Sequence, residues 1–212
     1  MCFSATASFA ASASLSVIGI ISVMRAHKNK NLLPFAAIPL LFAIQQATEG
    51  IVWLSFTHES LAPYQAFAAY TFLFFASFLW PIWSSFAVYR MEPNAKRKEW
   101  LKKLIPFGAL VGCATFGTIL IKGVSTEMLS CHIAYNIPFP SQLQLLGLVA
   151  YMFATMAPLL LSTVPFVPLL GLFIAVAYAV SFFFYYASLG SVWCFFAALL
   201  SSIILLIVVK KR

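Results

Sequence analysis

Ile44-Gln45-Gln46-Ala47-Thr48-Glu49-Gly50-Ile51-Val52-Trp53 is the stretch that decides how this chain folds. It lies within an apolar run long enough to cross a bilayer, yet it carries two amides and a carboxylate, which hydrocarbon does not tolerate. On a helix Gln45, Glu49 and Trp53 recur at i, i+4 and i+8 and share a face, with Gln46 at its edge. That face must look at protein or trapped water. The run therefore predicts a helix packed inside a bundle, with a polar site in the bundle interior.

The rest of the composition agrees. Of 212 residues, 63% are hydrophobic and 8% charged, where a soluble domain carries about 25% charged residues. The mean hydropathy is +0.97. Such a chain cannot cover itself with a solvated surface. Its apolar runs are continuous, unlike the alternating segments of about ten residues that build a barrel. The expected class is all-α, a polytopic membrane bundle. The net charge of +8 does not point to nucleic acid, because Lys and Arg form short clusters at helix ends and no basic face continues along an element. Membrane lipids are the expected partners.

The runs place seven transmembrane helices at about 4–24, 33–56, 64–89, 104–121, 142–161, 166–187 and 191–209, in a single domain over residues 1–212. No positive charge precedes the first run, and Arg25, Lys28 and Lys30 follow it. That order predicts a first span rather than a secretory signal, with the N-terminus outside. Twelve of the thirteen Lys and Arg residues then fall on the side of the C-terminus, and Lys122 alone on the other. The positive-inside rule makes the C-terminal side cytoplasmic. Residues 90–103 read as a cytoplasmic loop and 122–141 as a long outer loop. Pro39 and Pro81 are expected to kink their helices. Ser4, Ser8, Ser12 and Ser16 form a small stripe suited to close packing, and Gly108 and Gly112 form a second such pair. The broken helices of many transporters are not evident.

This topology gathers reactive groups on the outer half. Cys2 begins the first span, Glu49 lies ~10 Å below the outer end of the second, Cys131 and His132 lie in the outer loop, and Ser191, Trp193 and Cys194 open the last span. Glu49 is the intramembrane carboxylate, which marks either a functional site or a structural carboxyl hydrogen-bonded to its neighbours. As a binding site, Gln45, Gln46, Glu49 and Ser191 would hydrogen-bond a ligand, and Trp53 and Trp193 would wall it. As a catalytic site, Glu49 would serve as acid or base, with His132, Cys194 or Cys131 as nucleophile or partner. Cys2, Cys131, His132 and Cys194 are weak candidate metal ligands, since no CxxC or HxxxH spacing organises them. A disulfide among Cys2, Cys131 and Cys194 is also compatible with an oxidising outer face, and spacing does not give its pairing.

The opening Met1-Cys2-Phe3-Ser4-Ala5-x-Ala7-Ser8-Phe9 resembles the start of a prokaryotic integral-membrane family of unknown function. The likeness continues through Gln45-Gln46-x-x-Glu49-Gly50-x-Val52-Trp53, Phe74-Phe75-Ala76, Trp80-Pro81 and Ala154-Thr155-x-Ala157-Pro158, and returns at Ser191-Val192-Trp193-Cys194-Phe195-Phe196. It implies a multi-pass protein of a prokaryotic plasma membrane and marks Cys2, Gln45, Gln46, Glu49, Trp53, Trp193 and Cys194 as motif positions. It implies no mechanism and no cofactor.

Three functions fit these residues. The first is a receptor or carrier whose outward-facing polar pocket around Glu49 takes a small molecule, lipid or ion. The second is a membrane-embedded enzyme, a hydrolase or thiol-redox protein, metal-dependent or not. The third is a structural membrane partner in which Glu49 only ties helices together.

Overall fold

The computed structural model describes residues 4–129, 131–139 and 141–211. Seven helical segments among them are long and apolar enough to cross a membrane: Ala5–Ala26, Leu33–Ser55, Glu59–Met91, Ala95–Lys122, Gln144–Leu161, Val167–Phe184 and Tyr186–Lys210. Large apolar side chains remain on the outside, with Ile121 82% and Phe183 79% exposed. Water would drive such side chains inward, whereas acyl chains cover them at no cost. Successive spans run back and forth, so the turns near residues 27–32, 92–94 and 162–166 share one end with Lys210 and Lys211, the basic end. The opposite end carries a β-hairpin.

α1 (Ala5–Ala26) starts at Ser4, whose side chain accepts from the Ala7 N–H at 3.2 Å. Its small residues pack on α3 (Ile38–Ser55). A Cβ on Gly19 would come within 2.6 Å of Leu40, and one on Gly50 within 2.7 Å of the Phe9 ring. The serine stripe serves this contact: Ser8 is buried, and Ser12 donates to the Ala43 carbonyl at 2.8 Å.

Several spans are interrupted, contrary to the unbroken helices expected. The second is α2 (Leu33–Ala36) followed by α3, divided at Ala37, with Pro34 and Pro39 each in the first turn of its helix. The last is α9 (Leu189–Leu200) and α10 (Ile203–Lys210), divided at Ser201 and Ser202. The third span joins α4 (Gln65–Leu73) to α5 (Trp80–Met91) through a π-helical stretch at Phe74–Leu79. The Trp80 N–H bonds to Phe75 O in that wider register, and Pro81 has no N–H to give. The carbonyls of Ala76 and Ser77 are thereby released. Tyr151 donates to the first, and Thr115 Oγ1 donates to the second at 2.8 Å.

α6 (Ala95–Lys122) corrects the reading of residues 90–103 as a loop. Asn94 caps it by accepting from the Arg97 N–H at 3.1 Å, and nothing in Ala95-Lys96-Arg97-Lys98-Glu99 opposes helix formation. The glycine pair of α6 lies against the third span. A Cβ on Gly108 would stand 2.0 Å from Pro81 O, and one on Gly112 2.9 Å from Phe78 O.

The long outer loop is largely a hairpin. β1 (Ser125–Leu129) pairs antiparallel with β2 (His132–Asn136), with Ser125 opposite Asn136 and Leu129 opposite His132. β2 is not a solvated strand: Ile133 and Ala134 are fully buried, packed with Trp53, Ala68 and Val192. The hairpin therefore roofs one end of the bundle. α7 (Ser141–Leu161) and α8 (Val167–Phe184) complete it.

At the basic end Glu92 is buried and accepts from the Asn94 N–H at 3.1 Å, the Ser162 hydroxyl at 2.9 Å, the Thr163 N–H at 2.9 Å and the Thr163 hydroxyl. Arg97 donates to Leu161 O at 2.6 Å, and Lys211 donates to Met91 O at 2.7 Å. These bonds tie the α5–α6 turn, the α7–α8 turn and the C-terminal helix together.

Candidate functional site

The apolar face of α3 turns Gln45, Gln46 and Glu49 into the bundle, where their exposure is 0%, 0% and 1%. Gln45 Oε1 accepts from the Trp80 indole at 2.8 Å, and Trp80 stacks on Phe42 at 4.0 Å between ring centres. Glu49 accepts from the hydroxyl of Ser191, at the start of α9. Gln46 lies close enough to the carboxylate to interact with it, but its amide forms no hydrogen bond of regular geometry. The partners that Glu49 meets among the described residues are neutral. Burying a carboxyl group without a cationic neighbour is costly unless hydrogen bonds or a bound group compensate it.

Among the described residues, the Gln45 and Gln46 amide nitrogens reach only Cys194 and Glu49, in poor geometry, and three buried polar atoms nearby have no hydrogen-bond partner: Gln46 Oε1, Trp53 Nε1 and the Tyr135 hydroxyl. Each such group costs about 1–3 kcal/mol, and native proteins keep few of them. Tyr135 reaches the cluster from β2. Its ring stacks on Phe72 at 4.8 Å, and it lies within electrostatic reach of Glu49 and Cys194.

Cys194 is a free thiol, 2% exposed, beside Gln45 and Glu49. Trp193 turns away from Trp53. Its indole donates to Ile174 O at 3.4 Å, and its ring meets Tyr151 and Tyr178 edge-on at 5.7 and 5.4 Å. With Cys194, Trp80 and Phe42 it lines an apolar cavity of about 60 Å³ between the spans. Trp53 does not line this cavity and packs with Ile133, Ala68 and Val192.

Cys131 is disulfide-bonded, so it offers no thiol for attack or for a metal. Cys2 lies outside the described residues. The His132 ring sits 4.8 Å from Tyr185, and burial holds its imidazole below the ordinary value of 6.5. Among the described residues no three His, Cys, Asp or Glu side chains gather as a metal site would require. Tyr135 of β2 comes within electrostatic reach of Glu49 from the hairpin end.

Sequence reasoning missed three residues, Tyr135 and Tyr151 near this region and Glu92 at the opposite, basic end. Tyr135 reaches the cluster only because the outer loop folds back as a strand. Tyr151 carries no local signal, since it is one tyrosine on an apolar helix. Glu92 reads as one charge within a basic run until Ser162 and Thr163 are brought to it.

The comparisons with known proteins add a family to this geometry. The model described as "Family of unknown function (DUF6629)" matches residues 1–212. The chain belongs to this family. No curated protein and no solved structure matches it. For this DUF6629 member, seven membrane-length helices and the buried Glu49 cluster are therefore the features from which a function is argued.

Proposed function

We propose that this protein is a receptor or carrier in a prokaryotic plasma membrane, with the N-terminus outside, and that the Glu49 cluster binds a small molecule, lipid headgroup or ion. What supports the binding reading is the set of three unpartnered polar atoms, Gln46 Oε1, Trp53 Nε1 and the Tyr135 hydroxyl, beside a carboxyl group that among the described residues has no cationic neighbour. A bound group that offers hydrogen-bond acceptors to the Trp53 indole and the Tyr135 hydroxyl, a donor to the Gln46 amide oxygen, and a proton or positive charge to Glu49, would satisfy them together. The orientation is supported by the grouping of Lys and Arg at the basic end. A reporter fused after Arg212 should be cytoplasmic.

The test is native mass spectrometry of the full chain released from nanodiscs, wild type beside Glu49→Gln and Tyr135→Phe. The wild type should retain a bound species, with occupancy lower by about tenfold or more in Glu49→Gln. Equal occupancy in all three proteins overturns the reading, as does the absence of a bound species together with no thermal shift on adding sodium, potassium or protons. The catalytic alternative keeps one favourable contact, the Ser191 hydroxyl on the Glu49 carboxylate, which is the arrangement of a nucleophile and its base.

A further inference from the structure

A large cavity lies beside the Glu49 cluster rather than within it. It has a volume of about 890 Å³ and is bounded by the end of α6, the hairpin, α7 and the turn leading into α9. Small-ligand sites occupy about 300–1,000 Å³. Ser77 and Thr115 form part of its lining and are bonded to each other through the carbonyl that Pro81 releases. π-helical bulges of this kind recur at functional sites. Ile119 and Leu148 give it an apolar wall.

The charge of the lining is one-sided. Among the described residues it carries one ionic group, the Lys122 ammonium, with the Asn136 and Gln144 amides in the same lining. Lys122 is also the one basic residue at the hairpin end by the count of the whole sequence. Asn136 makes a long 3.5 Å contact to the Glu127 carboxylate. That acid disfavours a doubly charged head beside Asn136, while a single ammonium neutralises a single negative charge.

We propose that this cavity binds a single-chain amphiphile with a carboxylate head, a long-chain fatty acid, with the head at Lys122 and the amides and the chain along the Ile119–Leu148 wall. The site is separate from the one proposed around Glu49, although Tyr135 borders both.

The full chain in nanodiscs is titrated with radiolabelled palmitate and, in parallel, with hexadecanol, a neutral molecule of the same chain length. Palmitate should saturate at about one per chain and bind tighter than hexadecanol by about tenfold or more. Lys122→Gln should weaken palmitate by a similar factor and leave hexadecanol unchanged. Gly147 lines the cavity and a Cβ there would meet nothing within 4 Å, so Gly147→Leu projects a side chain into the cavity and should weaken binding of both probes. Equal binding of the two probes overturns the proposal, as does palmitate binding that neither variant changes. Glu49→Gln should leave palmitate affinity within about twofold, so loss of the Glu49 reading and loss of this one are told apart. A larger drop in that variant overturns the separation of the two sites.

Discussion

Ser191 on α9 donates its hydroxyl hydrogen to the carboxylate of Glu49 on α3, across 142 positions of sequence. Both side chains are buried, so removing either changes what the other must do. Ser191→Ala leaves the carboxyl oxygen short of its donor and should cost about 1–3 kcal/mol. Glu49→Gln retains an acceptor oxygen and should cost less. Unfolding of both single variants and the double variant in one detergent checks this, and additive costs would show that the pair does not interact.

The contact of α6 with the third span should be the least tolerant of added volume. Gly108→Ala places a methyl group 2.0 Å from Pro81 O, and overpacking of this kind costs about 1–3 kcal/mol or more. Gly117, on the same helix, has no atom within 4 Å of its Cβ direction. Gly117→Ala should be neutral or stabilise by up to about 1 kcal/mol. The unfolding temperature of Gly108→Ala should therefore fall, while that of Gly117→Ala stays level or rises.

The buried Glu92 gives the basic end a pH dependence. Burial acts to raise its carboxyl pKa, but hydrogen bonds from Thr163, Asn94 and Ser162 outweigh that and hold it below the ordinary 4.5. The unfolded chain then binds the proton more readily than the folded one, so stability rises with pH through this window. The contribution is fully present above pH 4.5 and is lost as pH falls through the lower folded value. Glu92→Gln should flatten this acid limb. A melting temperature that falls equally in wild type and variant below that pH would remove Glu92 as its source.

The disulfide at Cys131 sits at the turn between β1 and β2. A disulfide typically contributes about 2–4 kcal/mol. Reductant should lower the unfolding temperature of the wild type and leave Cys131→Ser, already lower, unaffected. Cys194, at 2% exposure, should resist maleimide in the folded protein under both conditions and label only on unfolding.

Much of this was legible along the chain, and the limits fall at particular residues. The seven apolar segments stand out because a long helix in lipid needs an unbroken apolar run, and α6 extends well beyond its own. There the basic run Ala95–Lys103 hid a helix, because charged residues at a membrane surface form helices as readily as loops. The hairpin was missed because five-residue strands of mixed polarity carry a weak alternation signal. The π-helical stretch was missed because Pro81 announces a disturbed helix but not how neighbouring side chains take up the freed carbonyls.

The sequence by itself determined what depends on neighbours within one helix: the membrane-length segments, the placing of Lys and Arg at one end, and the common face of Gln45, Glu49 and Trp53. These follow from hydropathy and from a fixed 3.6-residue period. Only the tertiary structure decided which groups meet that face. Ser191 arrives at Glu49, Trp80 at Gln45 and Tyr135 from the hairpin, while Trp193 turns to Tyr151 and Tyr178 instead. Those contacts join residues from separate spans, and their geometry is set by how whole helices pack, which no local pattern encodes.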